Sequence, residues 1–75
     1  MTLNEQMKLC RIQAGMTVPE AAEATGYSIH TVYKIEEEKR KVPVFYLSYW
    51  VSRGLFDIST AGKYENAYQK GANKR

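Results

Sequence analysis

Polar and apolar residues recur along this chain with the period of short helices rather than strands. A Thr2-x-x-Glu5 capping box precedes Met7, Cys10 and Ala14 at helical spacing, and Gly15 supplies a stop. This predicts a first helix over about Leu3 to Ala14. Thr17 and Glu20 repeat the capping signature, and Pro19 is tolerated in the first turn, where its missing N–H has no intrahelical partner to lose. The second helix carries Ala21, Ala22 and Ala24, small residues that let another helix approach closely. It ends at Thr25-Gly26, where a positive φ carries no side-chain penalty. Ser28 caps a third helix running to about Glu37, which buries Val32 and Ile35 and turns Ile29, His30, Tyr33 and Lys34 outward.

Pro43 opens a fourth helix over roughly Val44 to Ser52, with Val44, Leu47, Trp50 and Val51 as its apolar stripe and Arg53-Gly54 as its end. Past Gly54 the pattern weakens. Leu55 to Ile58 reads as a short strand or an extended crossing segment. Ser59 or Thr60 reads as the cap of a fifth helix with Ala61, Tyr64 and Tyr68 on one side. Gly71 to Arg75 reads as a flexible basic tail. The expected fold class is all-α, a bundle of four to five short helices in one domain over residues 1–70. No internal repeat or dividing linker is evident.

At 75 residues the chain buries only about 60% of its unfolded surface, so its core is small. Hydrophobic residues at 44% and aromatics at 12% still support a folded core. Phe45, Tyr46, Tyr49, Trp50, Leu55 and Phe56 are more aromatic and apolar bulk than one small core easily absorbs. Residues 44–68 are therefore the expected dimerisation segment, with Tyr46, Tyr49, Leu55, Phe56 and Ile58 as candidate contacts and Trp50 assigned to the core. The lone Cys10 excludes an intramolecular disulfide and a cysteine-based metal cage, and its apolar position suggests a small core residue. With neither a signal-peptide pattern nor a membrane-length apolar run, a cytoplasmic location is expected. Net charge is +3, concentrated in Lys39-Arg40-Lys41 and in Lys70, Lys74 and Arg75. Charge alone leaves a nucleic-acid surface and a merely solvated face equally open.

A short helix pair with such an outer face is a device for entering the DNA major groove. The spacing of Met7, Cys10-Arg11, Gly15-Met16-Thr17, Glu20, Ala22, Gly26, Ser28, Thr31-Val32, Ile35-Glu36, Lys39 and Pro43 resembles the Cro and phage-repressor (lambda-repressor-like) helix-turn-helix family. The resemblance covers about half of the chain and places the helix-turn-helix unit at 17–36. It implies an ion pair between Arg11 and Glu36, structural rather than DNA-contacting, joining the first helix to the end of the third. It also implies base reading by Ser28, Ile29, His30, Tyr33 and Lys34. Lys34 can donate to guanine O6 and N7, and Ile29 can pack on a thymine methyl. Phosphate contacts are expected from Lys39, Arg40 and Lys41, and from Thr17 and the N–H of Val18 at the head of the second helix.

Two positions depart from the family pattern. Glu37-Glu38 stand where an Asn-Gly pair is frequent, which suggests a third helix longer than usual and sets three successive carboxylates beside the DNA backbone. Val18 stands where Gln is frequent and offers no side-chain hydrogen bond. The function implied is a sequence-specific double-stranded-DNA-binding regulator, a small repressor acting as a homodimer on an inverted-repeat operator. The alternative is a protein-binding adaptor or anti-repressor using the same surface. An enzyme is not expected, because the single His and single Cys are isolated and no Gly-rich phosphate loop is present. No cofactor, metal or small-molecule ligand is expected either.

Overall fold

Three side-chain hydroxyls set where the first three helices start. Thr2 accepts from the Glu5 N–H while Glu5 Oε1 accepts from the Thr2 N–H at 2.8 Å, a complete capping box opening α1, Leu3–Gln13. Thr17 and Glu20 build the same box at the head of α2, Val18–Thr25. Ser28 accepts from the Thr31 N–H at 3.1 Å and opens α3, Ile29–Glu36. The fourth helix, α4 (Val44–Ser52), starts at Pro43 without a side-chain cap, its entry set by the fixed φ of proline. In the computed structural model, which describes residues 2–60 and the backbone of 68–69, these four helices form a compact, mostly helical domain.

The helix ends obey one rule with one exception. After α1, Gly15 (φ 72) donates to the Ile12 carbonyl at 2.9 Å and Met16 to that of Arg11 at 3.1 Å. After α4, Gly54 (φ 76) donates to Val51 and Leu55 to Trp50 in the same pattern. Each is a Schellman closure, with a left-handed residue that glycine supplies at no steric cost. The end of α3 closes identically, since Glu38 donates to Ile35 at 3.1 Å and Lys39 to Lys34 at 2.9 Å. Its left-handed residue, however, is Glu38, at φ 61. The helix therefore stops at Glu36 although no glycine follows it. Asn4 supplies the reason: its Nδ2 donates to the Ile35 carbonyl at 2.7 Å and to the Arg40 carbonyl at 2.9 Å, pinning both sides of the turn to α1.

The core takes Leu3, Met7 and Cys10 from α1, Val18, Ala21 and Ala22 from α2, and Val32 and Ile35 from α3. Tyr46, Leu47 and Trp50 of α4 close it, with Tyr27, Val42 and Phe56 from the connections. The buried stripe of α4 is thus rotated from the expected one, and Val44 and Val51 are only half-buried. Seven of the nine residues in VFYLSYWVS are apolar or aromatic, so periodicity cannot choose a face. The edge-to-face packing of Tyr46 against Tyr27 (5.8 Å) and Trp50 (6.1 Å) favours the observed one.

This packing corrects part of the expected dimer contact set. Tyr46 is fully buried and Phe56 nearly so, which leaves Tyr46 no surface to offer a second copy. The single core absorbs Tyr46, Trp50 and Phe56. Tyr49 and Leu55 keep partial exposure, and Ile58 is exposed. Tyr46 Oη and Trp50 Nε1 are buried and find no hydrogen-bond partner among the described residues. Burial pushes the Tyr46 phenol up to about 12, outweighing the nearby indole N–H.

Two further expectations change. The segment after α4 is neither a strand nor an extended crossing. Asp57 Oδ1 accepts from the Ser59 N–H at 2.9 Å and its carbonyl from the Thr60 N–H, winding residues 58–60 into a short 3-10 turn. The fold is also not purely helical. β1 (Val42–Pro43) pairs in parallel with β2 (Tyr68–Gln69), so Tyr68 belongs to a strand and not to a fifth helix. Val42 precedes a proline and is β-branched, two constraints that hold it extended. Ala61, Tyr64, Lys70 and the tail 71–75 lie outside the described residues.

The left-handed Glu38 yields a stability prediction. A non-glycine residue there costs about 1–2 kcal/mol, less the backbone entropy that glycine loses on folding. Glu38→Gly is expected to stabilise the fold by roughly 0.5–1 kcal/mol in urea unfolding with an unchanged m-value. An equal or lower midpoint would contradict this account of the turn.

Candidate nucleic-acid interface

The outer face of α3 is defined by what its inner face must do. Val32 and Ile35 are wholly buried, and with 3.6 residues per turn the sector opposite them holds Ile29, His30, Tyr33 and Lys34, all exposed. The exposed Glu37 falls in line with that sector at the helix end, one turn past Tyr33, where its N–H closes on the Tyr33 carbonyl at 2.8 Å. Lys34 supplies a cation there, and the exposed Lys39 and Lys41 follow just past the helix end.

The position of α3 is fixed through Arg11. Its Nε donates to Glu36 Oε2 at 2.6 Å and its Nη2 to Glu36 Oε1 at 3.0 Å, a two-point fork. Its Nη1 donates to the Met16 carbonyl at 2.9 Å, so one guanidinium joins α1, the α1–α2 turn and α3. The two side chains are only 13% and 7% exposed. The hydrogen bonds to Glu36 raise the Arg11 pKa further, so it stays charged across the physiological range. Arg11 is thus a structural cation with three internal hydrogen bonds.

The acidic run is less repulsive than its sequence suggests. Glu36 is turned inward against Arg11, and Glu37 Oε1 lies 3.3 Å from Lys39 Nζ. The Glu37–Lys39 pair is solvent-exposed and worth little, so a phosphate can compete for the same ammonium. Glu38 remains an exposed carboxylate beside the basic run. Arg40 is half-buried, its carbonyl held by Asn4 and its Nε 3.4 Å from the Lys41 carbonyl.

Two candidate contacts are already engaged. Ser28 Oγ caps α3 and also donates to Thr31 Oγ1 at 2.9 Å, so its role in place is to start the helix. At the head of α2 the Thr17 N–H is held by Glu20 Oε1 at 2.8 Å, which puts an acidic side chain where a phosphate was expected. That bond lowers the Glu20 pKa and keeps it ionised. Val18 is buried by side chain and Pro19 has no N–H, which narrows this contact to the Thr17 hydroxyl and the Val18 N–H.

Asn4 and Tyr27 are the positioning residues that sequence reasoning passed over. Asn4 carries a signal, being a polar residue one turn before Met7 on the buried stripe of α1. Tyr27, in the turn between α2 and α3, packs edge-on against Tyr46 and ties that turn to α4.

No family model, curated protein or solved structure matches the chain. Among the described residues, no helix is long and apolar enough to cross a membrane.

Removing one member of the clamp is expected to be strongly destabilising. Leaving one member of a buried pair uncompensated costs about 3 kcal/mol or more. A chain of this size has on the order of 4–11 kcal/mol in total. Arg11→Met is therefore expected to lower the urea midpoint sharply, and Arg11→Lys to recover little, since an ammonium cannot reproduce the fork. The double variant Arg11→Met/Glu36→Met is expected to be more stable than Arg11→Met alone. A single variant within about 1 kcal/mol of wild type would refute the clamp.

Proposed function

We propose that the protein is a sequence-specific double-stranded-DNA-binding regulator in which α2 and α3 act as a helix-turn-helix and α3 enters the major groove. The observation that carries this reading is the outer face of α3, where Ile29, His30, Tyr33 and Lys34 are exposed, with Lys39, Arg40 and Lys41 beyond a glutamate run in which Glu36 is held by Arg11 and Glu37 pairs with Lys39. The resemblance to the Cro and phage-repressor family supports the same reading. Lys34 and His30 donate to base edges, and Ile29 and Tyr33 supply apolar contact. Lys39, Arg40 and Lys41, with Thr17 and the Val18 N–H, hold phosphates, and Ser28 fixes the first turn of the reading helix.

One such helix covers few base pairs, so the protein binds as a homodimer on inverted half-sites about one helical turn apart. Tyr49, Leu55 and Ile58 retain the surface for that contact. Sedimentation of the complex with a selected duplex should give two protomers per site; one protomer at saturation refutes the dimer.

Selection from random duplexes, followed by binding across a salt series, tests the function. The log–log slope is expected to be about −0.9 per phosphate contact. Lys39→Ala or Arg40→Ala should weaken binding to all sequences alike and reduce the slope by about 1. Lys34→Ala or His30→Ala should instead relax preference at single positions, by about 1–3 kcal/mol for a good base contact. No enriched sequence, with salt-insensitive binding to a protein partner, would favour an adaptor using the same face.

A further inference from the structure

The turn that ends α3 brings together two side chains that a continuing helix would hold apart. Residues two positions apart point about 200° away from each other round an α-helix. Glu37 and Lys39 nevertheless meet, with Glu37 Oε1 3.3 Å from Lys39 Nζ. The cause is the residue between them: Glu38 takes a left-handed backbone, φ 61, and turns the chain back across the helix end. Both partners are held from behind. The Glu37 N–H donates to the Tyr33 carbonyl at 2.8 Å and the Lys39 N–H to the Lys34 carbonyl at 2.9 Å. Asn4 anchors the same turn through the carbonyls of Ile35 and Arg40. The carboxylate therefore meets the ammonium at the high effective concentration of an intramolecular partner.

Stability gives no reason for a carboxylate at this place. A negative charge at a helix C-terminus opposes the macrodipole. The pair itself contributes little, since Lys39 and Glu37 are 67% and 53% exposed. Glu37 stands instead in line with the outward sector of α3, one turn past Tyr33 and just before the basic run. A carboxylate and a phosphate offer an ammonium the same kind of partner, an anionic oxygen.

We propose that Glu37 is an internal competitor of DNA phosphate: it occupies Lys39 in the free protein and releases it when α3 docks. This rests on the reading of Lys39 as a phosphate contact. Affinity for every duplex is lowered by the strength of the pair. The effect is independent of sequence, because phosphates carry no sequence information, and base preference stays with the residues of α3 itself. It acts on one cation of the run, since the exposed Lys41 has no carboxylate in ion-pair range among the described residues.

Wild type, Glu37→Gln, Lys39→Ala and the double variant are titrated by fluorescence anisotropy after circular dichroism has shown each to be folded. The probes are a duplex enriched from a random pool and a scrambled duplex of the same length, each at two salt concentrations. Glu37→Gln is expected to tighten binding to both duplexes about two- to five-fold at low salt, the range that an exposed ion pair supplies. The gain shrinks as salt rises. In the Lys39→Ala background the same substitution gains less, because no pair remains to be broken. Plain repulsion between Glu37 and phosphate gives the reverse, a gain at least as large once Lys39 is gone, and that result overturns the competitor. Unchanged or weaker binding by Glu37→Gln overturns it as well and leaves DNA binding standing. So does an equal gain from Glu38→Gln, which removes a neighbouring charge that has no ion-pair partner among the described residues. Wild-type affinity of Lys39→Ala for both duplexes removes the phosphate contact and the competitor with it. Failure to bind any duplex removes the underlying reading and the competitor together.

Discussion

The Arg11 guanidinium is the constraint on which the rest of the structure depends. Three of its hydrogen bonds go to two partners far apart in the chain, the Glu36 carboxylate and the Met16 carbonyl. A lysine reaches one such partner as a point charge; a planar fork fixes distance and angle together. Asn4 adds a second tie from α1, to the carbonyls of Ile35 and Arg40. Between them these two side chains decide where α3 lies and how the basic run leaves it. The pair contributes orientation, since a well-packed apolar pair in its place is often no less stable.

The clamp also changes the electrostatics of the proposed interface. Three successive glutamates beside a DNA-facing helix repel phosphate if all three face outward. Here Glu36 is consumed by the fold and Glu37 is shared with Lys39, which leaves Glu38 as the exposed carboxylate closest to the run. The same residue carries the left-handed backbone that glycine supplies at the ends of α1 and α4. Stability and surface charge therefore converge on Glu38, and nothing in the structure explains why a glutamate is kept there.

Local chemistry was legible in the sequence, and packing between distant segments was not. The starts of α1, α2 and α3 follow from hydroxyls and carboxylates within three residues of one another, and each lies where the chain predicts. The face of α3 was also readable, because Val32 and Ile35 contrast with polar neighbours. The face of α4 was not, since nearly every residue there is apolar and the aromatic contacts of Tyr46 settle the choice. The parallel pairing of Val42–Pro43 with Tyr68–Gln69 joins segments some 25 residues apart and leaves no periodic trace. At the candidate site the exposed residues and the capping roles of Ser28 and Thr17 were legible; the commitment of Asn4 to the turn after α3 was not.

The most direct measurement of the central claim is amide chemical-shift perturbation of the ¹⁵N-labelled protein on titration with a selected duplex. The account predicts changes concentrated at Ser28, Ile29, His30, Tyr33 and Lys34 and at Lys39, Arg40 and Lys41, with a smaller effect at Val18. The outer face of α1 at Leu9 and Ile12 is expected to stay unperturbed. Changes centred on Leu9 and Ile12, with α3 silent, would contradict the assignment of α3 as the DNA-facing helix.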